Sequence, residues 1–147
     1  MLGQIKNKKV NFNYELLEKY TAGLELLGTE VKAIKTGHGS LEGAHVIIRA
    51  GEAFLVGATI PPFQPANTPE DYDPTRTRRL LLQKKELSEL EKSLQTRGLT
   101  VVPISMYNKG RFIKLDLALA RGKKKFDKRE TIKKRDVERD LGRSLKR

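Results

Sequence analysis

The chain has 147 residues, with 30 Lys and Arg against 18 Asp and Glu, a formal net charge of +12, and neither Cys nor Trp. That length fits one compact core, and no apolar run approaches the roughly 20 residues of a membrane span. Disulfide and thiol chemistry are excluded, and with only His38 and His45 as imidazoles neither a metal nor another cofactor is expected.

The stretch from Met1 to Val10 is polar and Lys-containing, which predicts no secretory signal, a cytoplasmic location and no membrane partner. From Val10 to Leu27 the even positions carry Val10, Phe12, Tyr14, Leu16, Glu18, Tyr20, Ala22, Leu24 and Leu26, while the odd positions are mostly polar. This period of two predicts a long strand or two joined ones, with Gly23 as the bend or bulge. Thr29 then reads as the N-cap of a short helix that turns Val31 and Ile34 inward and stops at Gly37. Residues 44–49 and 53–60 predict a hairpin around Ala50-Gly51-Glu52. Five of the six prolines fall between Pro61 and Pro74, so 61–75 is expected to be an irregular surface loop.

Asp73-Pro74 supplies a cap and a first-turn proline, predicting a helix to about Arg97 with Leu80, Leu87, Leu90 and Leu94 on its buried stripe. Residues 99–107 and 111–120 predict a closing hairpin around Asn108-Lys109-Gly110, with Ile113, Leu115, Leu117 and Leu119 on one face. The order of elements implies a mainly β chain with helices, an α+β fold. Short connections favour antiparallel pairing, and an OB-type closed antiparallel barrel fits best.

Charge divides the chain at Ala120. Residues 121–147 hold 13 basic and 5 acidic side chains, +8 of the total +12, and only Phe126, Ile132, Val137, Leu141 and Leu145 as sizeable apolar groups. Too little can be buried there to offset an ordering entropy of about 1 to 2 kcal/mol per residue. The reading is a barrel over 1–120 and a basic C-terminal tail over 121–147, disordered when free and helical once a polyanion cancels its charge.

The chemistry points to binding. Neither His sits in a nucleophile pattern, Gly37-His38-Gly39 lacks phosphate-loop spacing, and Glu70-Asp71 and Glu89-Glu91 read as solvated acids, so no enzyme is expected. In the body, Lys8 and Lys9 precede the first long strand, while Arg76, Arg78 and Arg79 open the expected long helix. Arginine forks and free N–H groups at a helix N-terminus both favour phosphate. RNA is preferred over DNA because no helix-turn-helix, homeodomain or finger pattern is present.

The strings Gly28-Thr29-Glu30-Val31-Lys32, Asp73-Pro74-Thr75-Arg76-Thr77-Arg78-Arg79-Leu80-Leu81-Leu82 and Arg121-Gly122-Lys123-Lys124-Lys125-Phe126-Asp127-Lys128-Arg129 carry a specific resemblance. In register from Asn7-Lys8-Lys9 to the tail, the chain resembles the SsrA-binding protein (small protein B) family. The resemblance implies an OB-type barrel that binds the tRNA-like domain of transfer-messenger RNA. With elongation factor Tu and GTP, acting through the RNA, it would be delivered to stalled ribosomes for trans-translation. Family contacts to that RNA would fall on Asn7, Lys8, Lys9, Thr21, Glu30, Lys32, Arg76, Arg78, Arg79 and Leu81. Arg121, Lys123, Lys124, Lys125, Phe126, Asp127, Lys128, Arg129, Lys133 and Lys134 would enter the ribosomal decoding centre and message channel. Thr21 departs from the family, which usually has a glutamate just before Ala22-Gly23, so a contact made by that carboxylate must be weakened or replaced. Phe126 would stack on a base. The alternative is a structural ribosomal protein with a small barrel and a basic tail.

Overall fold

The computed structural model describes residues 4–123. In chain order the elements are β1 (Gln4–Lys6), α1 (Val10–Asn13), β2 (Tyr14–Leu24), α2 (Gly28–Lys35), β3 (His45–Arg49), β4 (Glu52–Val56), β5 (Arg78–Leu81), α3 (Lys84–Ser93), β6 (Leu99–Lys109) and β7 (Phe112–Gly122). The strands form one antiparallel sheet in the order β1-β6-β3-β4-β5-β2-β7, and β6 also pairs with β7. That pairing closes β2 to β7 into a barrel, with β1 added along β6. The expected closed antiparallel barrel and α+β class are what the chain adopts.

Alternation explains the barrel. On β7, Ile113, Leu115, Leu117 and Leu119 point into one core with Tyr20, Ala22 and Leu24 of β2, while Lys114 and Asp116 lie on the outer face. Ile34 of α2 and Leu90 of α3, both fully buried, join that core. A second, smaller cluster of Val10, Val102 and Ala120 lies under α1, with Tyr14 and Leu16 packed against it.

Four local expectations are corrected. Residues 10–13 are a turn of helix, because the spacing that puts Val10 and Tyr14 in one cluster is four as well as even. The bulge in β2 falls between Leu16 and Glu18, leaving Leu17 exposed, and Gly23 pairs regularly. The helix α2 starts at Gly28, and its capping contact is Glu30 Oε1 accepting from the Leu27 N–H at 2.8 Å, without a cap from Thr29.

The largest correction concerns the expected helix from Asp73. Asp73 Oδ1 accepts from the Thr75 N–H and hydroxyl, both at 2.9 Å, which makes a turn in place of a helix cap. The next residues then pair as β5 with Phe54 and Leu55 of β4 and with Gly23 and Leu24 of β2. Arg78 and Leu80 point in and Arg79 and Leu81 out, a period of two that closes the barrel between β4 and β2. Only from Lys84 does the chain become α3, keeping Leu87, Leu90 and Leu94 on its inner side.

The β3–β4 hairpin turns at Ala50 and Gly51 with φ of 52° and 74°, two left-handed residues in succession. Such turns match strand twist, but a Cβ in the left-handed region costs about 1 to 2 kcal/mol. Ala50→Gly is therefore expected to raise stability by about 1 kcal/mol. The expected signature is a higher urea midpoint at unchanged slope.

Candidate functional site

Strands β2, β4, β5 and β7 bring several of the expected contact residues onto one outer surface. Gly23 of β2 pairs with Leu81 of β5, and a Cβ built on Gly23 would sit 3.3 Å from Leu81 Cβ; Thr21 is two residues back on the same face of β2. Leu81 is 51% exposed. Arg79, two residues back on the same face, bonds Glu52 at 3.0 Å and Glu25 at 3.7 Å. Next to it Arg76, Arg79, Leu27 and Phe54 line a concavity of about 420 Å³. On the other flank, Asp116 of β7 stands opposite Thr21 and accepts its hydroxyl at 2.9 Å.

Behind Arg76 lies a buried ion cluster. The Glu30 carboxylate is completely enclosed. It accepts from Arg76 Nε at 3.1 Å, Arg76 Nη2, Arg78 Nε at 2.9 Å, Arg78 Nη2 at 2.6 Å, the Leu27 N–H at 2.8 Å and the Tyr72 hydroxyl at 3.2 Å. Burial alone would push Glu30 up, but the bonds from Arg76, the Leu27 N–H and Arg78 outweigh it and hold the carboxyl below its ordinary 4.5. Tyr72 also donates to the Ile60 carbonyl at 2.7 Å, and burial followed by the Glu30 charge pushes its phenol up. The network ties α2, the 61–75 loop and β5 together.

Arg78 differs sharply from its neighbours. It is 0% exposed, and its remaining N–H groups donate to Ala58 O at 3.0 Å, Arg76 O at 3.0 Å and Pro74 O at 2.9 Å. A guanidinium has five N–H donors, and all five are used inside the protein. No donor of Arg78 is left for phosphate, and Glu30 has no open surface either. Both residues lie inside the barrel wall behind Arg76, because the strand that replaced the expected helix turns Arg78 inward. Arg76 is 31% exposed and Arg79 48%, so both remain accessible. The expected phosphate site at a helix N-terminus disappears with the helix.

A separate cavity of about 760 Å³ holds the N-terminal group. Lys8 and Lys9 line it with Phe12, Tyr14 and His45. Asn7 also lines it but is a structural clasp, its Nδ2 donating to Pro103 O at 2.9 Å and its N–H to Ile104 O at 2.8 Å, at the bulge in β6. Lys32 is exposed on α2. Arg121 pairs with Glu15 and Leu99, and the Lys123 N–H donates to Asn13 O at 2.9 Å, so the barrel runs past Ala120. Lys124, Lys125, Phe126, Asp127, Lys128, Arg129, Lys133 and Lys134 lie outside the described residues. Among the described residues no group of His, Asp and Glu could hold a metal ion, and no helix is long and apolar enough to cross a membrane.

The profile of the family described as SmpB protein matches residues 4–147. The chain belongs to the SmpB protein family. Relatives in that family are similar along almost their whole length. The SsrA-binding protein of Gloeobacter violaceus is 48% identical over 143 residues, covering 97% of this chain and 93% of the relative. That of Mesoplasma florum is 49% identical over 140 residues, covering 95% and 94%. A chain of the solved structure described as "tmRNA-SmpB: a journey to the center of the bacterial ribosome" superimposes with a TM-score of 0.70 at 38% identity, covering 84% of this chain and 86% of that one.

Two residues on this outer surface, Phe54 and Asp116, were not among the expected contact residues. The sequence puts Phe54 on one face with Val56, Ala58 and Ile60, but on β4 it is Ala53 and Leu55 that point inward, which leaves Phe54 on the outer side. Asp116 reads as a solvated charge until the β2–β7 register sets it against Thr21.

Proposed function

We propose that this chain binds the tRNA-like domain of transfer-messenger RNA and delivers it to stalled ribosomes for trans-translation. The observation that carries this reading is membership of the SmpB protein family along residues 4–147. The protein performs no bond-making chemistry in this role. Its task is to hold one structured RNA and be carried with it. Elongation factor Tu with GTP joins through the RNA.

The roles divide by exposure. Arg76 and Arg79 supply phosphate-binding guanidinium groups, Arg76 aligned from behind by Glu30 and Arg78. Lys8 and Lys9 add charge at the second cavity, and Lys32 adds it on α2. Leu81 and the flat backbone at Gly23 offer apolar contact to sugars and base edges, beside the polar Thr21. Arg121, Lys123 and the basic residues that follow serve the decoding centre and message channel, where a message already in place would exclude them by bulk and by competition for the same sites.

Arg76→Ala with Arg79→Ala is expected to weaken RNA binding and to flatten its salt dependence. The slope should fall by about 0.7 to 0.9 log unit per log unit of salt for each phosphate that is no longer neutralised. Titrations of labelled tRNA-like domain at several salt concentrations measure this. An unchanged slope would remove both residues from the interface. A structural ribosomal protein would instead copurify one to one with a subunit, whereas this chain is expected to leave in a salt wash and to bring transfer-messenger RNA with it.

A further inference from the structure

The outer face of β2, β7 and β6 contains an acid in a protein of charge +12 that is proposed to grip a polyanion. Its setting is specific. Asp116 Oδ1 accepts from Thr21 Oγ1 at 2.9 Å, across the β2–β7 pair, and from Tyr107 Oη at 3.0 Å, on the β6 side. Burial, then the hydrogen bond and charge of Asp116, push the Tyr107 phenol above its ordinary 10.0, so it stays a donor at neutral pH. Two hydroxyls on one oxygen fix the carboxylate and leave Oδ2 without a partner among the described residues. Thr21 is exposed and Asp116 half-exposed. Gly23, the next outward position on β2, raises no side chain that would keep a ligand off this patch.

We infer that Asp116 is an RNA-reading residue whose Oδ2 accepts a hydrogen bond from a nucleotide of the bound transfer-messenger RNA. The inference rests on the functional reading above and names a contact within it. The donor class follows by elimination. Phosphate oxygens only accept, so a carboxylate facing RNA can pair only with a ribose 2′-hydroxyl or with a base N–H such as an exocyclic amine. The pairing offsets the repulsion that an acid would otherwise meet from the backbone, and it supplies selectivity that a phosphate-binding arginine cannot.

The two roles open to Asp116 predict opposite signs. A bystander acid repels RNA, so neutralising it should tighten binding. A fitted acceptor should weaken binding when it is removed. Asp116→Asn separates them, because the amide oxygen still accepts from Thr21 and Tyr107 while an NH2 group replaces Oδ2 and faces the RNA donor. With the full-length chain and the tRNA-like domain, D116N is expected to lose about tenfold to a hundredfold in affinity. The salt slope and the melting curve should stay unchanged. Binding equal to or tighter than that of the wild type would overturn the inference.

A second measurement leaves the protein intact. Single 2′-deoxy and inosine-for-guanosine substitutions in the RNA are expected to include one that costs the wild type a similar factor and costs D116N nothing more. A hit in the first set names the ribose as donor, and one in the second names the guanine amine. If the wild type tolerates every substitution and D116N binds as tightly as the wild type, the acceptor role falls. If the wild type does not bind this RNA at all, the functional reading itself falls, and this contact with it.

Discussion

Glu30→Ala is expected to destabilise the barrel by about 3 to 5 kcal/mol, because it strands a buried arginine. Arg78 is fully enclosed, and two of its five donors end on Glu30 Oε2. Without that carboxylate the positive charge stays buried with only neutral oxygens around it, and Tyr72 and Arg76 lose the same acceptor. Arg78→Ala should cost a similar amount by leaving Glu30 enclosed with less compensation. Arg76→Ala removes a partner that is 31% exposed, and a contribution nearer 1 kcal/mol is expected once solvent screening is allowed for. Urea denaturation of the three variants measures this order. Equal, small losses for all three would mean that the cluster is not a structural unit. Acid provides a second check with a definite sign. The folded-state carboxyl of Glu30 lies below its ordinary 4.5, so its contribution is fully present above that value and is lost as pH falls through the lower, folded value. Wild-type stability should therefore fall below about pH 4.5, and Glu30→Gln, less stable at neutral pH, should lose less on the same descent.

The same cluster marks where sequence reading stops. The hairpin of β6 and β7 was legible because Ile113, Leu115, Leu117 and Leu119 alternate along β7 and Gly110 breaks the pattern before it, although Asn108 and Lys109 still pair with Ile113 and Phe112 and the turn is Gly110-Arg111. The β3–β4 hairpin and α2 were legible in outline from local signals, the Ala50-Gly51 turn and the Gly37 stop, but not in detail: β4 ends at Val56 and the cap of α2 comes from Glu30. Asp73-Pro74 was ambiguous, since an Asp whose side chain binds the N–H two residues on begins a turn as readily as a helix. The β5 pairing that resolves it depends on Phe54 and Gly23, which are distant in the chain. Arg78 and Glu30 illustrate a different limit. Charged side chains are almost never fully buried unless paired, so nothing local says that this pair is inside while Arg76 and Arg79 stay at the surface. Asp116 depends on register: only the pairing of β2 with β7 makes it the neighbour of Thr21. The accessible residues Lys8, Lys9, Lys32, Arg79 and Leu81 were the easy part, because surface position is the ordinary expectation for charge and the family strings named the leucine.

Truncation after Lys123 is expected to leave folding and transfer-messenger RNA binding intact while abolishing peptide tagging on stalled ribosomes. The cut follows from the strand, since β7 runs to Gly122 and the Lys123 N–H holds Asn13 O, so ending the chain at Ala120 would remove two residues of the closing strand. Among the described residues, every core side chain and both arms of the Glu30 cluster precede the cut. The melting temperature should accordingly stay close to that of the full chain. Removing residues 124–147 takes away 11 of the 30 basic side chains, so some loss of affinity at low salt is expected as the long-range field weakens, and it should vanish near physiological ionic strength. Tagging is a different quantity, because it requires the basic segment at the decoding centre and message channel and not merely attraction to RNA. A reconstituted translation system programmed with a message lacking a stop codon separates the two. Full RNA binding with no tagged product is the expected result. Tagging by the truncated chain would make the segment dispensable, and loss of folding would mean that the barrel does not end where its last strand does.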